Sequence, residues 1–293
     1  MHIGSLKEIW RFPVKSLGGG TVETAIVHEH GLAGDRGWAV ADGLTGDLCS
    51  AKKIPGLLNL MATYQFDPLD EVAYGDKIPP VTIHFPDGRE CASAEDQEAA
   101  ISEFFGRPLK LLALAPPENL DHYRMSEPPS EEEFMRAMNV KPGEDGLDLA
   151  DYDPAMIETL MEYSCPPGNY YDVFPLHLLT TAALDYMSAQ SGEVFDHRRF
   201  RPSLLLETLP GMEGIAEFNW VGKSLRIGEV LLKVESRTIR CSVPSREQRN
   251  YGLVQNAKIS KSLYLETNRY LGVNLTIAQK GMLRAGEEVE LVD

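Results

Sequence analysis

The sequence has no hydrophobic run that approaches the roughly 18 uninterrupted apolar residues of a membrane-spanning helix. Its opening segment, MHIGSLKEIWRFPVKS, also lacks the apolar core of a secretory signal. Cysteine is scarce, and the four residues are too far apart to indicate a disulfide framework: Cys49, Cys91, Cys165 and Cys241. These absences predict a protein of the reducing cytoplasm.

Positive charge is scarce as well. Lys and Arg number 28 against 44 Asp and Glu, which gives a net charge of −16. A field of that sign repels phosphate backbones and anionic lipid, so the composition argues against nucleic-acid and membrane partners. Any anionic ligand must therefore be held by a local basic pocket, against the field of the whole molecule.

Several common catalytic motifs are missing. The sequence contains no G-x-x-x-x-G-K-[ST], no G-x-G-x-x-G, no H-E-x-x-H, no G-x-S-x-G and no C-x-x-C. It therefore indicates no phosphate-loop, dinucleotide-binding, zinc-peptidase or serine-hydrolase chemistry. Hydrophobic residues make up 43% of the chain, which is ordinary for a globular protein with a real core.

The chain divides into three regions by composition. Residues 1–115 consist mainly of short strand patterns with Gly and Pro turns between them, a spacing typical of a small antiparallel barrel or sandwich. One helix is predicted at 94–105, between a cap at Ser93 and a stop at Gly106. Residues 116–175 are rich in Pro, Gly and acid, and are predicted to form a helical, acidic insertion or linker.

Helix signals also occur further along the chain. Within the insertion, Ser130 and Glu133 form a capping-box pattern, and Asp153 is a cap followed by Pro. Residues 176–293 mix strands and helices. There, NAKISKSLYLETNRYLG predicts a helix that ends at Gly272, and the closing segments VNLTIAQKG and EEVELVD predict a hairpin.

Two histidine patterns carry little functional signal. His28 and His30 share one face of a strand, an arrangement that can bind a metal, but no third ligand is near them in the sequence. A solvated strand end is the better interpretation. His177 lies in the apolar run FPLHLL, where a lone histidine is more often a hydrogen-bonded packing residue than a catalyst.

Basic residues at turns are the stronger signal. Lys15 ends the first strand pattern, Arg36 lies in the turn GDRGW, and Arg201 lies in the densest basic cluster, RRFRPS. Surface charge is the default for each, but in an acidic chain their shared setting favours an anion pocket. Cys241 follows Arg240 at a strand end, where nearby arginines stabilise a thiolate. These residues alone leave a reactive thiol and a buried structural cysteine equally open.

Taken in order, several segments resemble the MOSC family, the molybdenum cofactor sulfurase C-terminal domain, together with its N-terminal β-barrel partner. No single segment is specific, but the ordered set covers nearly the whole chain except most of 116–170. The matching segments are WRFPVKSLGG from Trp10, GLAGDRGW from Gly31, SAKKIP from Ser50, PLHLLTT from Pro175, RFRPS from Arg199, Arg240-Cys241, and GMLRAG from Gly281.

The resemblance implies a mainly β fold with peripheral helices (α+β). An N-terminal β-barrel-like domain would occupy 1–115 and a MOSC mixed β-barrel domain 176–293, joined by the insertion at 116–175. It also implies a pocket for the molybdenum cofactor, a pterin dithiolene that carries a phosphate. Cys241 corresponds to the cysteine that ligates molybdenum in relatives and is the catalytic candidate. The implied cofactor-binding residues are Lys15, Ser16, Arg36, Thr180, Thr181, Arg201, Ser203 and Arg240.

The sequence also departs from those relatives, which include the mitochondrial amidoxime-reducing component and its bacterial counterparts. Thr238 stands where they often carry a first cysteine, Ile239 where they can present serine, and Ser203 where they carry asparagine. The loop after Cys241 differs too. The resemblance therefore implies a retained cofactor pocket with a different substrate mouth.

Three functions follow. The first is a molybdenum-dependent, pyridoxal-phosphate-independent oxidoreductase that reduces N-hydroxylated or N-oxide-type small molecules. Because the sequence shows no flavin, nicotinamide or ferredoxin-type pattern, this function needs a separate electron-donor protein. The alternative is a cofactor carrier or a sulfur-transfer protein that uses a Cys241 persulfide. The third, a MOSC fold that binds another anion, gives the thiol no role.

Overall fold

The computed structural model of the chain describes residues 1–67 and 78–293, and this part contains sixteen strands and six α-helices. The strands are β1 (His2–Arg11), β2 (Gly20–Val22), β3 (Thr24–His28), β4 (Gly31–Leu32), β5 (Trp38–Asp42), β6 (Met61–Tyr64), β7 (Val81–His84), β8 (Glu90–Cys91), β9 (Leu109–Ala113), β10 (Leu176–Thr180), β11 (Leu204–Thr208), β12 (Ser224–Ile227), β13 (Val230–Ile239), β14 (Tyr270–Gln279), β15 (Gly281–Arg284) and β16 (Glu288–Val292). The helices are α1 (Ala94–Phe105), α2 (Leu120–Tyr123), α3 (Glu131–Ala137), α4 (Pro154–Glu162), α5 (Thr181–Ser191) and α6 (Ala257–Thr267). In these described ranges, no helix has the length and apolar character needed to span a membrane.

Seven strands form a closed barrel. Its order is β11-β10-β14-β13-β12-β16-β1, and pairing between β1 and β11 completes the ring. The β10–β11 pair is parallel, and the other six pairs are antiparallel. A ring whose neighbours all run antiparallel needs an even number of strands, so a ring of seven requires at least one parallel pair. Helix α5 makes the crossover that this parallel pair needs.

Alternating apolar side chains fill the barrel. Burial alternates along β13 and β16, because successive side chains of a strand point to opposite faces of the sheet. Strand β1 adds Ile3, Leu6 and Ile9, which are completely buried against residues such as Val234 and Leu275. The barrel core therefore combines the first residues of the chain with strands that all lie after residue 175.

The two chain ends lie side by side. The Met1 ammonium group donates to the Leu291 carbonyl at 2.7 Å, and the Leu291 N–H donates to the Met1 carbonyl at 2.8 Å. Strand β3 also pairs with β15. The N-terminal region and the C-terminal strands are thus interleaved rather than merely docked.

The rest of the N-terminal region has its own core. Strand β5 pairs with β9, and β6, β7 and β8 form a three-stranded sheet. Helix α1 begins and ends as predicted: the Ser93 hydroxyl accepts the Asp96 N–H, and Gly106 adopts a left-handed conformation with φ of 63°. Its buried Ile101 packs in one cluster with Leu57 and other apolar residues of these sheets. The mainly β fold with peripheral helices is confirmed.

The insertion at 116–175 is folded against both regions. Its predicted helix starts are confirmed, since Ser130 and Glu133 form a reciprocal capping box and the Asp153 carboxylate accepts an N–H of α4. Tyr123 and Tyr170 are almost fully buried and belong to a cluster with residues of β5. These buried tyrosines give the insertion apolar contacts that stabilise it despite its polar composition.

The predicted helix that ends at Gly272 is wrong. Helix α6 ends at Thr267, and Gly272 lies inside β14 with φ of 78°. A Cβ atom at position 272 would lie 2.5 Å from His177 Nε2. This glycine therefore permits a close approach of a side chain and does not stop a helix.

The predicted hairpin between VNLTIAQKG and EEVELVD is also wrong. Both segments are strands, but β14 pairs with β10 and β13, whereas β16 pairs with β1 and β12. Strand β15 between them pairs with β3. An apolar alternation predicts that a segment is a strand, but in a closed ring it does not identify the partner.

Candidate anion-binding site around Cys241

Three predicted site residues have left-handed backbone conformations. The φ angle is 69° at Ser16, 54° at Arg36 and 54° at Arg201. Such a conformation costs a non-glycine residue on the order of 1 kcal/mol and persists where surrounding contacts fix it. At the two arginines, backbone hydrogen bonds do so: the Arg36 N–H donates to the Phe12 carbonyl of another segment at 2.8 Å, and the Arg201 N–H donates within its turn to the Arg198 carbonyl at 3.4 Å.

Arg36 and Arg201 lie over the same aromatic ring. Their guanidinium carbons are 5.3 and 4.1 Å from the centre of the Phe12 ring, and that of Arg36 is also 5.2 Å from the Tyr171 ring. Arg36 forms an ion pair with the buried Asp35 carboxylate. Burial is the main reason that the pKa of Asp35 is raised.

Arg201, unlike Arg36, forms no ion pair with a carboxylate of the described residues. Both of its terminal nitrogens are buried, and neither has a hydrogen-bond partner among the described residues. Burial, and then the neighbouring Arg36 charge, lower the pKa of Arg201 to about 10, so the group is still cationic at neutral pH. A buried cation whose donors are unused indicates a missing acceptor.

Lys15 and Lys52 share one carboxylate. The buried Lys15 ammonium donates to the Tyr170 carbonyl and to Asp172 Oδ1, each at 2.8 Å, and Lys52 Nζ donates to Asp172 Oδ2 at 3.2 Å. Burial alone would raise the pKa of Asp172, but the two ammonium groups outweigh it and hold that pKa well below its usual range. The carboxylate thus fixes both lysines at one side of the cleft.

Arg240 is oriented by two acceptors. Its Nη1 lies 3.1 Å from His177 Nε2, and its Nη2 donates to the Phe200 carbonyl at 2.6 Å. Burial lowers the pKa of Arg240 to about 10, and burial together with the Arg240 charge holds the pKa of His177 well below its usual range. His177 is therefore a neutral acceptor that positions Arg240.

Two predicted serines support neighbouring segments. The Ser16 hydroxyl accepts the Ala51 N–H at 2.9 Å and so anchors the loop that carries Lys52. Ser203 donates its N–H to the His177 carbonyl at 2.8 Å, and its hydroxyl accepts the His177 N–H at 3.4 Å. Both hydroxyls therefore hold the walls of the cleft in place.

Cys241 lies two residues after the end of β13 and is partly exposed. Lys52, Arg240 and Arg246 are all close enough to interact electrostatically with its sulfur. By contrast, Cys49 and Cys165 are buried, and burial raises the pKa of each thiol to about 11. Cys241 is therefore a partly exposed thiol with cationic neighbours, whereas burial keeps the other two thiols protonated at neutral pH.

Thr180 and Thr181 make their contacts elsewhere. The Thr180 hydroxyl caps α5 by accepting the Ala183 N–H and donates to Glu217 at 2.9 Å. The Thr181 hydroxyl accepts the Thr208 N–H at 3.2 Å. These contacts join α5 to the barrel. Their predicted role in cofactor binding stays a prediction.

Three further residues of the cleft were not predicted from the sequence: Lys52, Asp172 and Arg246. Lys52 stands in the segment SAKKIP, which is part of the family resemblance, but it carries no distinguishing local signal. Asp172 is an acidic residue in a pocket expected to be basic. Arg246 lies in the loop where the chain departs from relatives.

A cavity of about 400 Å³ is lined by Arg36 and Tyr171. It is also lined by His28 and His30. No group of three or more His, Cys, Asp or Glu within residues 1–67 and 78–293 could hold a metal ion. The metal interpretation of the histidine pair, already the weaker one, gains no support.

Fold and site together define a β-barrel protein with a cationic cleft that presents a thiol. Two family models match the chain, the MOSC N-terminal beta barrel domain over residues 3–105 and the MOSC domain over residues 168–290. The chain belongs to the MOSC family. MOSC domains are associated with proteins of the molybdenum cofactor sulfurase type and with binding of that cofactor.

Solved structures resemble the chain at low identity. The YuaD protein of Bacillus subtilis is 9% identical with a TM-score of 0.44, and the match covers 99% of this chain and 95% of that one. YiiM of Geobacillus stearothermophilus and YiiM of Escherichia coli are each 18% identical, with TM-scores of 0.31 and 0.29, and each match covers 41% of this chain and 55% of the other. No curated protein is similar enough to match the sequence.

Proposed function

We propose that the chain binds the molybdenum cofactor in the cleft beside Cys241 and is an oxidoreductase for N-hydroxylated or N-oxide-type small molecules. The observation that carries the proposal is the buried, unpartnered pair of Arg201 nitrogens next to Arg36. A phosphate supplies the acceptor oxygens that a guanidinium fork requires. Arg240, which precedes the thiol, donates to the carbonyl of Phe200, the residue before Arg201.

The donor set fits the two ends of such a cofactor. Arg36, Arg201 and Lys15 would hold its phosphate-bearing side. The Cys241 thiolate would ligate molybdenum, because a soft sulfur donor suits a sulfur-rich metal centre. Arg240, oriented by His177, would balance the negative charge of the thiolate and the dithiolene.

Each part of the site has a defined task in this proposal. The bound cofactor supplies two-electron redox chemistry. Cleavage of one N–O bond uses two electrons and two protons and releases water. The cleft positions the substrate beside Cys241, and a separate donor protein supplies the electrons. The partners of the site are then a small molecule and that donor.

Molybdenum and pterin content would test the proposal. The protein is purified from a host that makes the cofactor, and both are measured by mass spectrometry. We expect near-stoichiometric molybdenum in the wild type, loss of molybdenum in Cys241→Ala, and loss of pterin as well in Arg201→Gln. Cys91→Ala is the matched control, since Cys91 is also partly exposed but lies in the N-terminal sheet. Absence of both metal and pterin from the wild type would contradict the proposal.

A second function has one observation in its favour, the partial exposure of Cys241 among three cations. In a sulfur-transfer protein, the Cys241 thiolate attacks the outer sulfur of a donor persulfide, forms the new S–S bond, and releases the donor as a thiolate. Molybdenum that is retained in Cys241→Ala at wild-type stoichiometry, together with a cyanide-labile sulfur on the wild type, would favour a carrier or sulfur-transfer role over redox catalysis.

A further inference from the structure

The thiol end of the cleft carries more positive charge than its own acidic groups balance. Lys52, Arg240 and Arg246 all interact with the Cys241 sulfur. Asp172 is the carboxylate bonded to Lys52, and it is shared with Lys15. This concentration of cations stands in a chain of net charge −16. Such a local reversal of sign is typical of a site that attracts an anion.

Arg246 is a cation whose hydrogen-bond partners are all neutral. Its guanidinium donates to the Ser242 hydroxyl at 2.9 and 3.3 Å and to the Lys52 carbonyl at 3.2 Å, which are all neutral oxygens. Within the described ranges, no carboxylate forms an ion pair with it. A neutral oxygen satisfies a donor but leaves the charge of the guanidinium unbalanced. Arg246 can therefore still recruit an anionic group.

Lys52 stands at the open side of the same end. Its side chain is 27% exposed, and that of Asp172 is 52% exposed, so both are in contact with solvent. Arg36 and Arg201, in contrast, lie over the Phe12 ring. Lys52 and Arg246 are thus distinct from the two arginines that would hold a cofactor phosphate, although Lys52 shares Asp172 with Lys15.

We infer that Arg246 and Lys52 form a subsite for the anionic group of the molecule that approaches Cys241, a carboxylate or a small oxyanion. The description of that molecule as the substrate rests on the proposed function; the anion subsite itself does not. An N-hydroxylated or N-oxide compound that carries a carboxylate would accordingly be preferred over its neutral amide.

Two alkylating reagents of nearly equal size test the subsite, the anionic iodoacetate and the neutral iodoacetamide. In both reactions the Cys241 thiolate forms a bond to the CH₂ carbon and iodide leaves. Because the same thiolate attacks both reagents, the ratio of the two rates does not depend on how much of the thiol is ionised. The full chain is purified from a host that makes no cofactor, and mass spectrometry of the Cys241 peptide gives each rate.

We expect the iodoacetate-to-iodoacetamide ratio at Cys241 to exceed that of an unstructured peptide of the same local sequence by about threefold or more. Arg246→Gln should return the ratio to the peptide value, whereas Arg246→Lys keeps the charge and should keep most of the effect. Arg249→Gln is the matched control, because Arg249 is exposed and paired with Glu247. A loss of the effect in Arg246→Lys equal to that in Arg246→Gln would mean that Arg246 only joins the Lys52 and Ser242 segments.

A wild-type measurement covers the case in which the variants do not fold. Inorganic sulfate should slow alkylation by iodoacetate more than alkylation by iodoacetamide. Equal slowing, or a wild-type ratio equal to that of the peptide, overturns the subsite. If such a protein nevertheless retains molybdenum, the proposed function stands without the subsite; a raised ratio without molybdenum binding supports the subsite and contradicts the proposed cofactor.

Discussion

Glu217 is a carboxyl group sealed inside the protein. It has no exposed surface, accepts the Thr180 hydroxyl at 2.9 Å through Oε2, and leaves Oε1 without a partner among the described residues. Burial raises the pKa of Glu217 to about 7, from an ordinary value of 4.5. The folded protein therefore keeps this proton up to near-neutral pH.

The raised pKa of Glu217 makes the free energy of unfolding depend on pH. The stabilising contribution of the raised pKa is complete below pH 4.5 and is lost as the pH rises towards about 7, because the unfolded chain gives up the proton first. We expect the free energy of unfolding of Glu217→Gln, relative to wild type, to rise by up to about 3 kcal/mol between pH 4.5 and pH 8. Urea unfolding at both pH values measures it, with the exposed Glu207→Gln as control. A difference that stays constant with pH would show that Glu217 is ionised in the fold.

The local signals of single residues were informative where they reflect backbone geometry. Basic residues beside turns led to Lys15, Arg36 and Arg201, which the structure brings to one cleft, two of them in left-handed conformations. Lys52 and Arg246 could not be predicted in this way. Their place depends on contacts between segments almost 200 residues apart, such as the bond from Arg246 to the Lys52 carbonyl.

At the scale of elements, the insertion is fastened to both sides of Cys241. The Ser242 N–H donates to the Ala137 carbonyl at the end of α3 at 2.9 Å. Before the cysteine, the Tyr152 hydroxyl accepts the Ile239 N–H at 3.1 Å and donates to the Arg237 carbonyl at 3.0 Å, at a register shift of β13. The insertion therefore fixes the short segment on which the thiol lies.

Tyr152→Phe should loosen that segment. The ring and its packing are kept, but the partly buried Ile239 N–H loses its partner and the Arg237 carbonyl keeps only Asn274 at 3.5 Å; an unsatisfied buried group costs about 1–3 kcal/mol. We expect faster hydrogen exchange in the peptide that contains Ile239–Ser242, together with a lower free energy of unfolding. Tyr163→Phe in the same insertion is the control, because its hydroxyl contacts the exposed Arg124. Unchanged exchange in Tyr152→Phe would contradict the fastening.

Elements and their partners differ in how far they can be predicted. The helix starts predicted at Ser93, Ser130 and Asp153 are confirmed, because a cap is a contact within one turn of the chain. The prediction that VNLTIAQKG and EEVELVD form strands is also confirmed, but the prediction that they pair with each other is wrong. The position of Gly272 in β14 is set by the His177 side chain of another strand, which no local pattern encodes.

At the scale of the whole molecule, the barrel cannot close with residues 176–293 alone. Strand β1 fills the place between β16 and β11 and buries Ile3, Leu6 and Ile9. Without it, the two strands would present open edges and the core would lose three side chains.

Fragments should reveal this dependence. A fragment of residues 168–293 should show no cooperative thermal unfolding, whereas the same fragment continued through a short Gly/Ser linker into residues 1–28 should regain it, because Met1 already bonds to Leu291. Circular dichroism measures both, and Leu6→Asp in the continued fragment is the control that should abolish the gain. Cooperative unfolding of 168–293 by itself would show that β1 is dispensable.

The odd number of barrel strands also limits how this fold can change. A single strand added to or removed from the ring makes the count even, and the lone parallel pair, with the α5 crossover, then no longer closes it. With one parallel pair, the ring can gain strands only two at a time. Segments outside the ring can change in length without this restriction. The insertion at 116–175 contributes no barrel strand. Longer loops do not change the number of barrel strands. The loops at the entrance of the site can therefore diversify while the barrel keeps its seven strands.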